Sequence, residues 1–444
     1  MQKSRLMEKY EVKIFVFVLF GFLCVLYGAT SMSLQFFPYS YIKPYTDIAI
    51  SVNDALNIDR YNEKIRWAKE APDQTGVIHK DESEIEKGFV LYTTTHDSNV
   101  RLIDEDGHIR HHWELSFNNI WPDQEQVIAL KSLDDSYFYA RDAHIFGNGD
   151  LIALISAGGI TPWGMGLVKV SRDGDLIWKY TGYINNDFEM GPEGQIYAIE
   201  HMIRDEDLQT IRMGTLPFLS DQIVTISSDG EKTDEISLLN AIEKSPFINM
   251  LRELEDNEDG DPTHSNSIEY VSEDHPEIEW LRQGYLLISV RNINALVVLD
   301  PKRGEVVHAM RMPVKMQHDI DYLQNGNFMI FDNRGGYGTG GRSRVLEFNP
   351  VTQEVVWFYE GMKENEFDNT FWGEQQRLDN GNTMIVNAEA GRLTEVDADK
   401  TIVWDYYIPH TRMVESSEYI ATITSAKKIK YNDILELKTN GGAQ

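Results

Sequence analysis

The chain has 444 residues, enough for a large core, and carries 41 Lys and Arg against 71 Asp and Glu, a formal net charge of −30. This acidic excess excludes nucleic acid as a main partner, because phosphates would be repelled, and it makes any anion site depend on a local cluster of cations. One cysteine, Cys24, excludes an intramolecular disulfide, a cysteine-based zinc site and a dithiol redox centre.

Residues 12–34, VKIFVFVLFGFLCVLYGATSMSL, carry no charge after Lys13. That apolar run reaches the length of about 20 residues needed to span a bilayer. Lys3, Arg5, Lys9 and Lys13 stand on its N-terminal side, so residues 1–34 read as a basic cytoplasmic tip and a membrane anchor, with the rest outside the cytoplasm on the periplasmic or extracellular face. Ala29-Thr30-Ser31 offers a small-residue cleavage site, which makes a signal peptide and secretion the alternative. Residues 35–87 read as a linker or stalk, with helix-like spacing over 47–70.

From Gly88 the texture changes. Short β-branched and aromatic runs alternate with Gly, Asn and Asp turns, and one unit recurs: a polar start, an X-Gly turn, two apolar strands, a D-G or P-x-x-G turn, then a strand that often holds Trp. Examples are DAHIFGNGDLIALIS from 142, NDFEMGPEGQIYAIE from 186, QHDIDYLQNGNFMIFDN from 317 and QQRLDNGNTMIV from 375. About six such units of roughly 40 to 50 residues fit the period of β-propeller blades. The conserved order of the two turns disfavours a β-sandwich. Segment 235–256, EISLLNAIEKSPFINMLRELED, breaks the repeat and reads as an amphipathic helical insertion. The expected fold is thus all-β: a six-bladed propeller over 88–410, a helical insertion, an N-terminal transmembrane helix, and a closing segment and tail at 411–444.

Aligned on the X-Gly turn, the starts of three units place Arg141, Asn186 and His318 at one position, with His264 at the corresponding point of a fourth. First strands of propeller blades line the central channel, so these side chains should converge. The candidate pocket holds His264, Asn266, Arg291, His318 and Asp319, with Asn186, Asp187 and His144 as neighbours. Imidazoles beside a guanidinium suit an oxyanion such as a sulfate or phosphate ester. A carboxylate beside a histidine fixes its tautomer, which gives Asp319 a role in orienting His318 or a neighbour. The competing reading makes these groups caps and glue for strand ends.

DPTHSNSIEYV at 261–271, SVRNINALVVLD at 289–300, QHDIDYLQNGNFMIFDN at 317–333 and QQRLDNGNTMIV at 375–386 resemble, in order, the signature blocks of the arylsulfate sulfotransferases. The resemblance implies sulfuryl transfer from a phenolic sulfate ester to a phenol, without a nucleotide sulfate donor or other cofactor. It assigns His318 as the histidine that becomes sulfated, His264 and Asn266 as an H-x-N pair and Arg291 as the sulfate-gripping arginine. Where that family carries histidine in the third unit, this chain has Asn185-Asn186. Asparagine donates a hydrogen bond but carries no charge or proton. The rival reading, a catalytically silent membrane-tethered propeller for binding or assembly, rests on that substitution. The oligomeric state is left open, a homo-oligomer included.

Other motifs are quieter than they look. GYGTGG at 336–341 fits G-x-G-x-x-G, yet RVLEFNP after it is a strand, so no dinucleotide site is expected. EDNEDGDP at 255–262 lacks the closing glutamate of a calcium loop. His111 and His112 face opposite sides of a strand, so HIRHHWEL is no metal cluster. No metal site is expected. Phe367, Phe371 and Trp372 are candidates for aromatic walls or for ordinary packing.

Overall fold

A computed structural model describes residues 2–34, 37, 58–129, 132–255, 260–275, 277–312, 314–334, 342–361 and 367–434. Two compact units, Met1–Asp59 and Arg60–Gln444, are distinguished. In the first, Gln2–Leu34 is one helix. Its stretch Lys13–Ser31 is the one described helix long and apolar enough to cross a membrane, a property shared by anchors and signal sequences. The GYGTGG motif lies outside the described residues.

The second unit is built from antiparallel sheets: six of four or five strands and one small sheet of three. Taken from inside out, the second sheet runs Phe138–Ile145, Leu151–Ala157, Gly164–Val170, Leu176–Thr181, and the third runs Ile184–Met190, Ile196–Arg204, Phe218–Ile226, Lys232–Ser237. The fourth sheet starts at Ser265–Tyr270, the fifth at His318–Tyr322 and the sixth at Glu374–Arg377. The first sheet takes its inner strand, Ile423–Ile429, from the far end of the chain and its other three from Phe89–Thr94, Val100–Ile103 and Ile109–Trp113. Inner strands touch one another in cyclic order, the last against the first. This is a propeller-like ring, and joining both ends of the unit in one sheet removes the exposed edge an open array would present.

Local sequence explains the layering. Middle strands such as Leu151–Ala157, Phe328–Asp332 and Thr383–Asn387 are buried along their whole length, packed on both faces by neighbouring sheets. Outer strands such as Leu176–Thr181 and Val355–Tyr359 are largely exposed. The recurring tryptophan acts as a latch between sheets. Trp178 Nε1 donates to Ser228 O at 2.9 Å, Trp357 Nε1 to Ala398 O at 3.1 Å and Trp404 Nε1 to Glu105 O at 2.9 Å. Each bond reaches a turn of the next sheet, so the ring packs by indole faces and is pinned by indole N–H groups.

Two boundaries differ from the sequence reading. The insertion at 235–256 is not one helix: Lys232–Ser237 is a strand, Leu238–Glu243 a short α-helix and Ile248–Leu254 a 3-10 turn. The Ser237 side chain caps the helix by accepting from Asn240 N, and Pro246 forbids its continuation. Within the expected stalk, Ile58–Arg66 is helical, but Gly76–Lys80 joins the sixth sheet as a fifth strand against Ile402–Tyr407.

Candidate active site

The inner strands enclose an axial cavity of about 250 Å³, and each of the six larger sheets contributes to it: Arg141, Asn186, Asn266, His318, Glu374 and Lys427 stand for the six. Their convergence depends on β-bulges. Register slips between Ala140 and Asp142, Ile184 and Phe188, Ser265 and Ser267, His318 and Ile320, and Ile423 and Ser425. An extra residue in one strand re-aims side chains and breaks strict alternation, so adjacent polar residues can both serve the channel. Asn186 and Asp319 take positive φ, 59° and 45°, the left-handed conformation that asparagine and aspartate tolerate best among non-glycine residues. Gly373 lines the same cavity with φ +107°, and a Cβ there would stand 2.3 Å from the Phe331 ring.

His318 is buried in the cavity wall. Its Nδ1 lies 2.7 Å from Asn333 Oδ1 and 3.2 Å from Met316 O. The Asn333 amide is itself fixed, because its Nδ2 donates to Trp372 O at 2.7 Å and Asn369 O at 3.3 Å. Both groups facing Nδ1 are therefore acceptors. Nδ1 carries the hydrogen and Nε2 keeps its lone pair. Burial pushes the imidazole's pKa well below its ordinary value, and the Arg291 charge adds to this, with smaller effects from Arg141 and His264 against the opposing bond from Asn333. Burial and the neighbouring charge thus hold the ring neutral.

Sequence reasoning gave the orienting role to Asp319, and that is corrected here. The Asp319 carboxylate accepts from Gln375 N at 2.8 Å and its carbonyl from Gln375 Nε2 at 2.8 Å. It joins the fifth sheet to the sixth. Similar ties run round the ring: Asp187 Oδ2 accepts from Ile268 N at 2.9 Å, Ser267 Oγ from Ile320 N at 3.0 Å, and Glu374 Oε2 from Ala426 N at 3.1 Å. Asn186 Nδ2 donates to Ser265 O at 3.0 Å and Asn266 Nδ2 to Gln317 O at 2.6 Å. Inner strands have no backbone partner on the channel side, so side chains satisfy their peptide groups. The structural-glue reading holds for these residues even as they line the cavity.

Two further expectations shift. His264 and Arg291 are not among the residues lining this cavity. His264 sits beside it, with Nδ1 2.5 Å from Asp261 Oδ2 and its ring 5.4 Å from that of Trp163. Arg291 begins a 3-10 turn at the end of Leu286–Val290; its N–H donates to His264 O at 3.3 Å and its Nη1 to Asn292 Oδ1 at 3.0 Å. Both bias His318 through charge. His144 does line the cavity, and burial, with Lys427 assisting, pushes its pKa down to about 4. Of the aromatic trio, Phe367 is core, 5.3 Å from Phe331 between ring centres, while Phe371 is exposed and Trp372 lies 5.9 Å from the Arg141 guanidinium.

The sequence reading placed Asp187 and Asp319 in the pocket but missed the tier of carboxyl groups they belong to. Asp187, Glu189, Glu269, Asp319, Asp321 and Glu374 all line the cavity. Burial raises each, and neighbouring carboxylates raise most of them further: Glu189 and Glu374 to about 7, Asp321 to about 6, the others well above the usual range. Burial alone would lower Lys427, but Asp142, Asp187, Glu374 and Glu189 hold it well above its ordinary value. Glu374 Oε1 stands 3.6 Å from Arg141 Nη1. Acids at matching offsets after Asn186, Asn266 and His318 were the available signal.

A search of curated proteins gives no match. The family profile described as Arylsulfotransferase (ASST) matches residues 142–408, more than half of the chain. The chain belongs to the arylsulfotransferase family. That match begins within the inner strand of the second sheet, just after Arg141, and spans those of the third to sixth, and with them His318, Asn333 and Glu374. Similar solved structures include a protein of unknown function from Bacteroides caccae, at 12% identity and TM-score 0.46, covering 72% of this chain and 94% of that one. Virginiamycin B lyase from Staphylococcus aureus aligns at 14% identity and TM-score 0.40, covering 80% and 98%. BamB from Moraxella catarrhalis aligns at 10% identity and TM-score 0.30, covering 78% and 82%. At the level of the family, this membership supports aryl sulfotransferase activity.

Proposed function

We propose that the protein moves a sulfuryl group from a phenolic sulfate ester to a phenol through a sulfated His318, in a propeller held outside the cytoplasm by its N-terminal helix. The observation that carries this reading is the tautomer lock: Asn333 and Met316 O hold Nδ1–H and leave Nε2 as the open nitrogen of a buried, neutral ring. The Nε2 lone pair attacks sulfur, the sulfur–aryl oxygen bond breaks, and the phenolate leaves with the electron pair. The acceptor phenol then loses its proton, its oxygen attacks sulfur, and the nitrogen–sulfur bond breaks to restore His318.

Charge in such a transition state is spread over the nonbridging oxygens, so fixed cations supply much of the stabilisation. Arg141 lines the cavity, and the Arg291 guanidinium biases it from the side. The nearby acids oppose an anion less than their number suggests. Glu189 and Glu374 are raised to about 7, Asp321 to about 6, and Asp187, Glu269 and Asp319 well above the usual range, so part of the tier is uncharged near neutrality.

Glu374 is the proton donor and acceptor for the two phenols in this scheme. It lines the cavity beside Arg141, and burial raises it to about 7, near the optimum for acid–base work at neutral pH. In Glu374→Gln, turnover of unsubstituted phenyl sulfate should fall about 100-fold or more, and its decline through pH 7 should flatten. Turnover of 4-nitrophenyl sulfate, whose phenolate leaves without help, should fall far less. Equal losses on both donors would remove Glu374 from the role.

The function itself is tested by incubating the protein with 4-nitrophenyl sulfate, with and without phenol. Release only with phenol is the expected result. Release without phenol would make the protein a hydrolase. No release in either case would favour the silent module, a reading that the engagement of the Asn186 and Asn266 amides in inter-strand ties keeps in play.

A further inference from the structure

Beside the proposed active site, a second group of side chains meets with no part in sulfuryl transfer. His201 and Asp221 are direct cross-strand partners on Ile196–Arg204 and Phe218–Ile226, and Asp261 comes from the segment leading into Ser265–Tyr270. One donor atom of each lies within 4.8 Å of the other two. His201 is 2% exposed and Asp221 0%. Neither ring nitrogen of His201 makes a hydrogen bond, nor does Asp221 Oδ1, although His201 Nε2 and Asp221 Oδ1 stand 3.5 Å apart. A fully buried Asp221 and a partly buried Asp261 thus face a buried imidazole whose two nitrogens make no hydrogen bond, an arrangement costly without a cation.

The surroundings are those of a prepared ligand set. Asp221 Oδ2 accepts from the Thr263 hydroxyl and from Ser265 N, both at 2.8 Å, which turns Oδ1 toward His201. Asp261 engages His264 through Oδ2. The Trp163 ring stands edge-on to His201 at 4.5 Å and walls the group. Carboxylates whose outer oxygens are held by hydrogen bonds are typical of metal ligands.

We propose that His201, Asp221 and Asp261 bind one divalent first-row metal ion of the zinc or manganese type. One imidazole and two carboxylates form a nitrogen–oxygen set that suits these ions; calcium takes six to eight oxygens, and magnesium keeps several waters. Donor distances of about 2.0 to 2.2 Å require only a small closing of the three groups. The ion would neutralise both carboxylates and fix Asp261, and through it His264, at the edge of the active site.

The test uses the full-length chain purified in detergent from medium supplied with both metals. Elemental analysis after dialysis should find about one zinc or manganese ion per chain. Chelator treatment should lower the unfolding temperature by about 3 °C or more, and refilling with zinc or manganese alone should restore it. His201→Gln and Asp221→Asn should each abolish stoichiometric binding. If either variant fails to fold, the stoichiometry and thermal refilling of the unaltered protein still decide. A protein that carries no ion and gains no stability from either metal overturns the proposal. So does an ion retained by both variants, which would place it elsewhere, for example at the Asp104, Asp106 and His108 group.

Discussion

His318→Ala is expected to lose sulfuryl transfer from 4-nitrophenyl sulfate to phenol by about four orders of magnitude or more, the scale seen when a covalent nucleophile is removed. Circular dichroism should stay unchanged, because the side chain faces a cavity and its one strong bond is to Asn333. The size of the loss discriminates between roles. A residue that only donates to a developing oxyanion costs about 100- to 1,000-fold when removed, so a loss in that range would reduce His318 to a binding group. Mass spectrometry offers a second readout. Given donor but no acceptor, the unaltered protein should gain one acid-labile sulfuryl group, and the alanine variant none. Retained turnover would refute the assignment outright.

In the proposed scheme, the electrostatics of His318 account for guanidinium groups around a nucleophile that must itself be uncharged. Arg291, Arg141 and His264 all lower its pKa. In that scheme the two guanidinium charges also favour the arriving sulfate and the charge that spreads in its transition state. One arrangement therefore keeps the attacking nitrogen unprotonated and binds the group it attacks. The Asn333 bond pulls the other way on pKa, but it sets which nitrogen is available.

Much of this was legible in the sequence because it was local and repeated. The turn pairs and apolar strands announced an all-β repeat, and the shared offset before the X-Gly turn drew out Arg141, Asn186 and His318, which do meet in one cavity. What was not legible depended on bulges and on partners distant in the chain. Asn333 follows the second strand of its sheet and closes the block 317–333, but nothing in that block tells it apart as the partner of His318. Asp319 sits next to His318 in sequence, yet the bulge between His318 and Ile320 sends its carboxylate to Gln375. His264 and Arg291 belong to the ends of strands in the fourth sheet and stand beside the cavity, a distinction that spacing along the chain does not encode. The recurring tryptophan was seen as a pattern, but its cause, a bond to the next sheet's turn, appears only in three dimensions.

Lys427→Met is expected to destabilise the protein by an amount that grows with pH. Lys427 Nζ lies 3.5 Å from Asp142 Oδ2 and is held charged by Asp142, Asp187, Glu374 and Glu189. Burial sets Glu189 and Glu374 at about 7 and Asp321 at about 6, above the ordinary carboxyl range. The folded state thus holds more protons than the unfolded chain between roughly pH 4 and 7. Stability from these groups is full below the ordinary carboxyl pKa and is lost as pH rises through 6 to 7. Lys427, raised rather than lowered, stays charged across that whole window and offsets the carboxylates as they form. Removing one partner of a fully buried ion pair costs about 3 to 5 kcal/mol. The Lys427 side chain keeps 44% of its surface exposed, toward the cavity it lines, so about 1 to 3 kcal/mol is expected at pH 8 once water screening is allowed for. At pH 5, where Glu189, Glu374 and Asp321 are mostly protonated, the loss should be smaller. Thermal melts of both proteins across pH 5 to 8 measure the difference directly. Equal losses at the two ends would mean that the channel acids are ionised throughout, and the neutral lining invoked for anion binding would fall with them.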